Sequence, residues 1–167
     1  GSLSFGSIRN NVQIDGNTVI NIAGGNSWAT GAVSNERIIG DGFVEFQSGI
    51  LGKGIMLGLN KDPSGDHTES DYYNQLEYAI NITGGNNIHL YENGIEVGDV
   101  SVTHEEGNTY RIEVAGDKVK YIARKATGEI IKLHESTRSD TSEAYHIDMG
   151  LYAYGSQAKN IIIASNP

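Results

Sequence analysis

The sequence predicts an all-β domain built from antiparallel strands, and three observations carry that expectation. Apolar residues fall in short alternating runs, and no stretch holds the 3.6-residue period of an amphipathic helix. Glycine is abundant at 22 residues while proline is scarce at 2 in a chain of 167, a balance that suits tight turns and does not suit disordered or collagen-like chains. Turn residues separate the runs at roughly 8–12-residue intervals, too short for parallel crossovers, so a sandwich or barrel of Greek-key or jelly-roll topology is expected. The length fits one domain spanning 1–167, large enough to bury its own core.

The elements follow in order. Residues 3–8, 12–14 and 19–22 read as opening strands, with Asp15-Gly16 as a hairpin turn. Residues 28–33 form a short strand after Gly24-Gly25-Asn26. Residues 42–46 alternate, placing Phe43 with Glu45 on one face and Val44 with Phe46 on the other, after a turn at Asp41-Gly42. The nearly continuous apolar run 55–59 is expected to be a central strand covered on both faces. Residues 76–82 put Leu76, Tyr78, Ile80 and Ile82 on one side. Then come 88–91, a turn at Glu92-Asn93-Gly94, and 95–97. Residues 110–114 and 118–124 pair across Ala115-Gly116-Asp117, and 130–134, 147–154 and 160–164 complete about a dozen strands.

Charge narrows the function. Lys and Arg total 12 against 21 Asp and Glu, a net charge of −9, which repels a phosphate backbone and argues against a nucleic-acid partner. The basic residues Lys118, Lys120, Arg124, Lys125 and Lys132 are interrupted by acids and read as a solvated strand face. The absence of cysteine excludes thiol catalysis and zinc–thiolate sites. No apolar run approaches the ~18 residues of a membrane span, so membrane insertion is not expected. Gly1-Ser2 reads as the scar of a removed tag, and the chain as an excised module.

Three stretches carry a family resemblance: Trp28-Ala-Thr-Gly-Ala-Val-Ser34 running to Gly40-Asp-Gly-Phe-Val-Glu-Phe46; residues 55–60 with Glu77-Tyr-Ala-Ile80; and Leu90-Tyr-Glu-Asn-Gly94 with residues 109–120. Together they resemble the concanavalin A-like lectin/glucanase superfamily in its laminin-G-like bacterial form. The likeness implies an antiparallel two-sheet jelly-roll β-sandwich, extracellular or at the cell surface. It also implies a function among lectins, glycan-binding modules, peptide-binding adhesin modules and glycosidases, between which the fold does not decide.

The segment Lys61-Asp-Pro-Ser-Gly-Asp-His-Thr-Glu-Ser-Asp-Tyr-Tyr73 is the most distinctive loop. Its acids Asp62, Asp66, Glu69 and Asp71 are the candidate metal ligands, because calcium takes about six to eight oxygens and closely spaced carboxylates supply them. The resemblance makes calcium the cofactor to test, and a plain hydrophilic loop is the alternative. Sugars stack C–H faces on aromatic rings while their hydroxyls seek side-chain donors and acceptors. Tyr72, Tyr73 and Tyr154 are accordingly the candidate platforms, with Asp66, Asp71 and Asn74 as hydrogen-bonding partners. Tyr152 and Tyr154, two residues apart, are expected to share a sheet face, exposed or in the core. Trp28 is either a stacking platform or a core residue sealing one end of the sandwich.

Catalysis is disfavoured. Glycosidases need two carboxylates about 5 to 9.5 Å apart; Glu45 and Glu77, expected two strand spacings apart, would be separated by roughly 10 Å. The superfamily glucanases carry a Glu-x-Asp-x-x-Glu strand, whereas Gln75-Leu-Glu77-Tyr-Ala-Ile-Asn81 has one acid. The histidines at 67, 89, 104, 134 and 146 show no i, i+4 pair. Asn81-Ile82-Thr83 is formally a glycosylation acceptor. The favoured expectation is a non-catalytic module binding polysaccharide or oligosaccharide. The alternative is a calcium-dependent adhesin module that binds a cell-surface protein or peptide, or serves as a spacer.

Overall fold

The computed structural model describes residues 3–63 and 72–166, with the backbone alone for Tyr72, Tyr73 and Asn166. Its strands are β1 (Phe5–Arg9), β2 (Val12–Asp15), β3 (Thr18–Asn21), β4 (Gly31–Ile39), β5 (Asp41–Ser48), β6 (Ile55–Asn60) and β7 (Tyr78–Ile82). They continue with β8 (Ile88–Glu92), β9 (Ile95–Val97), β10 (Thr109–Ala115), β11 (Lys118–Arg124), β12 (Ile130–Thr137), β13 (Ala144–Leu151) and β14 (Gln157–Asn166). The only helical element among the described residues is a 3-10 turn at Tyr72–Gln75.

Two seven-stranded sheets result. Sheet I runs β1-β4-β13-β6-β7-β8-β9 and sheet II runs β12-β11-β10-β5-β14-β3-β2. All strand pairings are antiparallel. This is the expected jelly-roll β-sandwich. Period-two alternation aims Ile55, Leu57 and Leu59 of β6 and Ile80 and Ile82 of β7 inward to meet Val44 and Phe46 of β5 and Tyr110, Ile112 and Val114 of β10. The Phe46 and Tyr110 rings lie tilted with centroids 5.7 Å apart. Every residue of β6 is buried, as its unbroken apolar run implied. Gly58 is required there, because a Cβ at that position would sit 2.3 Å from the Tyr78 carbonyl oxygen.

Several expectations are corrected. The turn before β5 sits at Gly40, whose φ of 70° suits glycine; Asp41 and Gly42 already belong to the strand. The strand expected over 28–33 begins at Gly31 and runs on to Ile39. Leu76 precedes β7 and packs with Met56 and Ala79 on the opposite face from Tyr78 and Ile80. The strand expected over 147–154 ends at Leu151, where the chain turns and Ser156 N–H donates to the Ala153 carbonyl. Tyr152 and Tyr154 therefore do not share a strand face. Trp28 does not seal the main core: it is half-buried in the smaller cluster around Met56, Leu76 and Ala79.

One core-edge residue sets a pH response. His104 is 4% exposed; its Nδ1 pairs with the Tyr110 hydroxyl, and its buried Nε2 has no hydrogen-bond partner among the described residues. Burial pushes its pKa below the ordinary 6.5. The folded state therefore keeps the ring neutral while the unfolded chain takes up a proton below that value. The stability is present above pH 6.5 and is lost as pH falls from there towards the folded-state pKa. Urea unfolding between pH 7.5 and 5 should show a shallower decline in His104→Gln than in the parent, and equal slopes would contradict this.

Candidate functional site

The same alternation that fills the core leaves Met56, Gly58 and Asn60 of β6, Ala79 and Asn81 of β7, and His146 and Asp148 of β13 on the outer face of sheet I. That face is not solvated. Asp148 is 0% exposed, and Asn60 and Ala79 are buried with it. The cover comes from Leu76, which packs on Met56 and Ala79, from Trp28 and Tyr91, and from Arg9 at the end of β1.

A buried carboxylate is tolerated only when paired and hydrogen-bonded. Asn60 Nδ2 donates to Asp148 Oδ2 at 2.9 Å, and Arg9 Nη1 lies 3.4 Å from Asp148 Oδ1. Arg9 also donates through Nε to the Ala29 carbonyl at 2.9 Å and through Nη2 to the Met149 carbonyl at 2.8 Å. One guanidinium thus ties β1, the segment before β4 and β13 together. Sequence reasoning missed both charges, although an aspartate inside the apolar Ile147-Asp148-Met149 run was a visible signal of a paired buried charge.

Beside Arg9 lies an open depression of about 510 Å³ lined by Asn10, Asn11, Ala23, Gly24, Gly25, Asn26, Ser27 and Thr30. Its lining carries no charged side chain. Asn10 adopts φ 58°, and Gly24 and Gly25 have φ of 73° and 75°, which folds the two loops back on themselves. Asn10 Nδ2 donates to Thr30 Oγ1 at 2.7 Å, and Ser27 Oγ accepts from Ala29 N–H at 3.1 Å. Ser27 N–H donates to the Tyr152 carbonyl at 2.8 Å, and next to it the Trp28 and Tyr152 rings lie tilted with centroids 4.8 Å apart. The cleft therefore offers amide and hydroxyl groups, each able to donate and accept, while the Trp28–Tyr152 pair follows it in the chain and packs outside its lining.

The residues singled out from sequence are distributed unevenly. Asp66, Glu69 and Asp71 lie outside the described residues. Tyr72 and Tyr73 begin the 3-10 turn that leads back to sheet I, and Asn74 follows them, exposed and set against Gly94 of the β8–β9 turn. Asp62 is exposed and its backbone N–H donates to Asn60 Oδ1 at 2.9 Å, while Lys61 N–H donates to Glu77 Oε2 at 3.0 Å. These two bonds fix the start of the loop to the buried network. Tyr154 is 61% exposed on the turn after Tyr152. Among the described residues no three His, Asp or Glu side chains converge as a metal site.

Other candidates are displaced from their expected places. Glu45 faces outward from sheet II, held 3.2 Å from Arg111 and 3.6 Å from Arg124, with Arg111 stacked 3.8 Å over Phe43. Glu77 stands at the start of β7 in the other sheet, and burial raises its pKa. The expected arrangement of Glu45 and Glu77 on one sheet is therefore not formed. Asn81 is buried and its Nδ2 donates to the Ile55 carbonyl at 3.1 Å, so the folded domain does not present that amide for modification. No helix among the described residues is long and apolar enough to cross a membrane.

No family profile and no curated protein matches the sequence. Solved structures do match in fold. Stonustoxin superimposes with a TM-score of 0.67 at 13% identity, covering 96% of this chain, which spans only 28% of the toxin chain. The exoplasmic/lumenal domain of VIP36 in its Ca2+/Man3GlcNAc-bound form gives 0.64 at 11% identity over 96% of this chain and 81% of that one. The carbohydrate-binding module CBM66 from Bacillus subtilis gives 0.58 at 14% identity over 98% and 95%. At these identities the likeness shows the fold alone, an antiparallel jelly-roll β-sandwich.

Removing one partner of the buried pair tests the network beneath the site. Asp148→Ala should cost about 3–5 kcal/mol, because it strands the Arg9 guanidinium. Denaturant unfolding measures this, and a loss below about 1 kcal/mol, the scale of a surface pair, would contradict it.

Proposed function

We propose that this domain is a non-catalytic carbohydrate-binding module of a secreted or cell-surface protein. The observation that carries the proposal is the charge-free cleft of Asn10, Asn11, Asn26, Ser27 and Thr30. A neutral polyol presents hydroxyls that must both donate and accept. Asparagine amides and serine or threonine hydroxyls match them without stripping water from a charge. The Trp28–Tyr152 pair, outside the lining, offers an apolar surface for the C–H face of a sugar. Backbone folding through Gly24 and Gly25 pre-forms the cleft, which limits the ordering cost of binding.

In this proposal Asp66, Asp71, Tyr72, Tyr73, Asn74 and Tyr154 contribute further sugar contacts. In the same proposal Asp62, Asp66, Glu69 and Asp71 hold calcium. The lectin and binding-module folds that superimpose on the chain are consistent with a sugar ligand, and the separation of Glu45 from Glu77 is consistent with binding without bond cleavage.

The single tryptophan makes binding measurable. Titration with neutral oligosaccharides should change Trp28 fluorescence. Asn26→Ala and Asn11→Ala, both exposed positions, should weaken binding about tenfold, the scale of a net hydrogen bond, without moving the melting temperature. Silence across a diverse neutral glycan array would overturn the proposal. The calcium element has its own test: a chelator should lower the melting temperature and added calcium restore it. An unchanged melting temperature removes calcium and leaves the cleft assignment standing.

A further inference from the structure

Three loops at one end of the sandwich expose apolar side chains that serve neither the core nor the amide cleft. Ile22 follows β3 and is 44% exposed, Ile50 and Leu51 lie between β5 and β6 at 40% and 44%, and Tyr154 lies between β13 and β14 at 61%. The loops form one surface. Gly155 N–H donates to the Asn21 carbonyl at 2.9 Å, and Tyr152 N–H donates to the Gly54 carbonyl at 3.0 Å. A Cβ on Gly155 would lie 3.9 Å from Ile50 Cδ1. Leu51 and Tyr154 are each followed by a glycine of positive φ, 77° at Gly52 and 89° at Gly155, so both stand on tight turns that are formed in advance. Gly52 N–H donates to Asn86 Oδ1 at 3.1 Å, which braces the first turn against the β7–β8 loop.

Charge is distributed unevenly around this surface. The chain has 21 Asp and Glu and a net charge of −9, yet residues 22–30, 49–54, 83–87 and 152–156 hold no acid, and Lys53 is their one charge. At the opposite end Asp41, Asp117, Asp140 and Glu143 stand in the turns around Arg138. Exposed apolar patches mark contact with a protein or a membrane. A protein partner is ordinarily oriented by charged and polar groups around the apolar centre, and acid-free loops with a single lysine offer little of that. A phospholipid surface sets the reverse requirement. It repels an acidic chain, so the chain must arrive by an end without carboxylates, and it takes up apolar side chains without needing charged partners for them.

We propose that this end of the domain is a membrane-contact surface, on which Ile22, Ile50, Leu51 and Tyr154 enter the interface of a zwitterionic phospholipid bilayer. Tyrosine suits that depth, with its ring among the apolar groups and its hydroxyl among the headgroups. The domain lies on the bilayer and does not span it. Ile22 N–H donates to the Asn11 carbonyl at 3.0 Å and Ala23 lines the amide cleft, so a docked domain holds that cleft next to the headgroup layer. The inference goes beyond the glycan proposal and does not rest on it.

Vesicles of phosphatidylcholine, which contain no sugar, are the probe, and flotation of the intact domain is the measurement. The parent should float with the vesicles in low and in high salt. Ile50→Ser combined with Leu51→Ser, both at exposed positions, should keep the parent's melting temperature and weaken partitioning about tenfold, the scale of two half-exposed aliphatic side chains. Because the chain has no cysteine, a single introduced one reports the orientation. A nitrobenzoxadiazole label on Leu51→Cys should shift its emission to the blue with vesicles, and the same label on Asp117→Cys, at the opposite end, should not. Failure of the parent to float, loss of flotation in high salt, equal flotation of the double variant, or an equal shift at both labels overturns the proposal. So does a parent dimer that the double variant abolishes, which gives the patch to a second copy of the chain.

Discussion

The outer face of sheet I depends on a buried charge. Asp148 carries its carboxylate into a fully enclosed position on a central strand, and Arg9 and Asn60 make that tolerable. The arrangement has a directional consequence. Because Arg9 spends its other nitrogens on the carbonyls of Ala29 and Met149, the attraction that stabilises Asp148 also fixes the loops around the amide cleft. Because Asn60 gives its carbonyl oxygen to Asp62 N–H, the start of the acidic loop is fixed from the same point. Stability and site geometry are therefore coupled through one ion pair, and the rims rest on a support that a surface salt bridge would not provide.

The two sheets divide the labour. Sheet II turns a charged face outward, where Glu45, itself buried, sits between Arg111 and Arg124, and where Lys118 and Arg124 are exposed. Sheet I is buried on both faces at its central strand β6, and the outer cover there is made of loops and long side chains. Loops laid over a rigid sheet are where binding surfaces concentrate, since the sheet supplies precision and the loops supply chemistry. The amide cleft and Leu76, just before β7, both belong to this cover.

The strands were legible because alternation and turn chemistry are local. Asn93-Gly94 and Gly116 take the positive φ that hairpins need, and the doubly covered β6 showed itself as an unbroken apolar run. Boundaries failed where a tertiary contact overrode the pattern. Leu76 alternates with Tyr78 in sequence yet packs on the other face, and Tyr152 follows β13 in character but is turned away by the bonds around Ser156. The site was only partly legible. Asn26, Ser27 and Trp28 were visible as a glycine-flanked group, but Asn10 and Asn11 join them only through the β1–β4 pairing, which no local signal encodes. Arg9 and Asp148, 139 positions apart by numbering, are joined only by the fold.

The order in which strands enter the sheets bears on how the domain is made. β13 sits between β4 and β6, and β14 lies between β5 and β3. Each layer is thus closed by a segment synthesised near the end of the domain, inserted at its middle. Until those segments leave the ribosome, β4, β5 and β6 present open, hydrogen-bond-hungry edges with no neighbour to mask them. Such a chain gains its cooperativity late and all at once, through contacts of long sequence separation that form slowly. It reaches its final form only once β13 and β14 are available, and the interval before that is when it most needs protection from its own sticky intermediates.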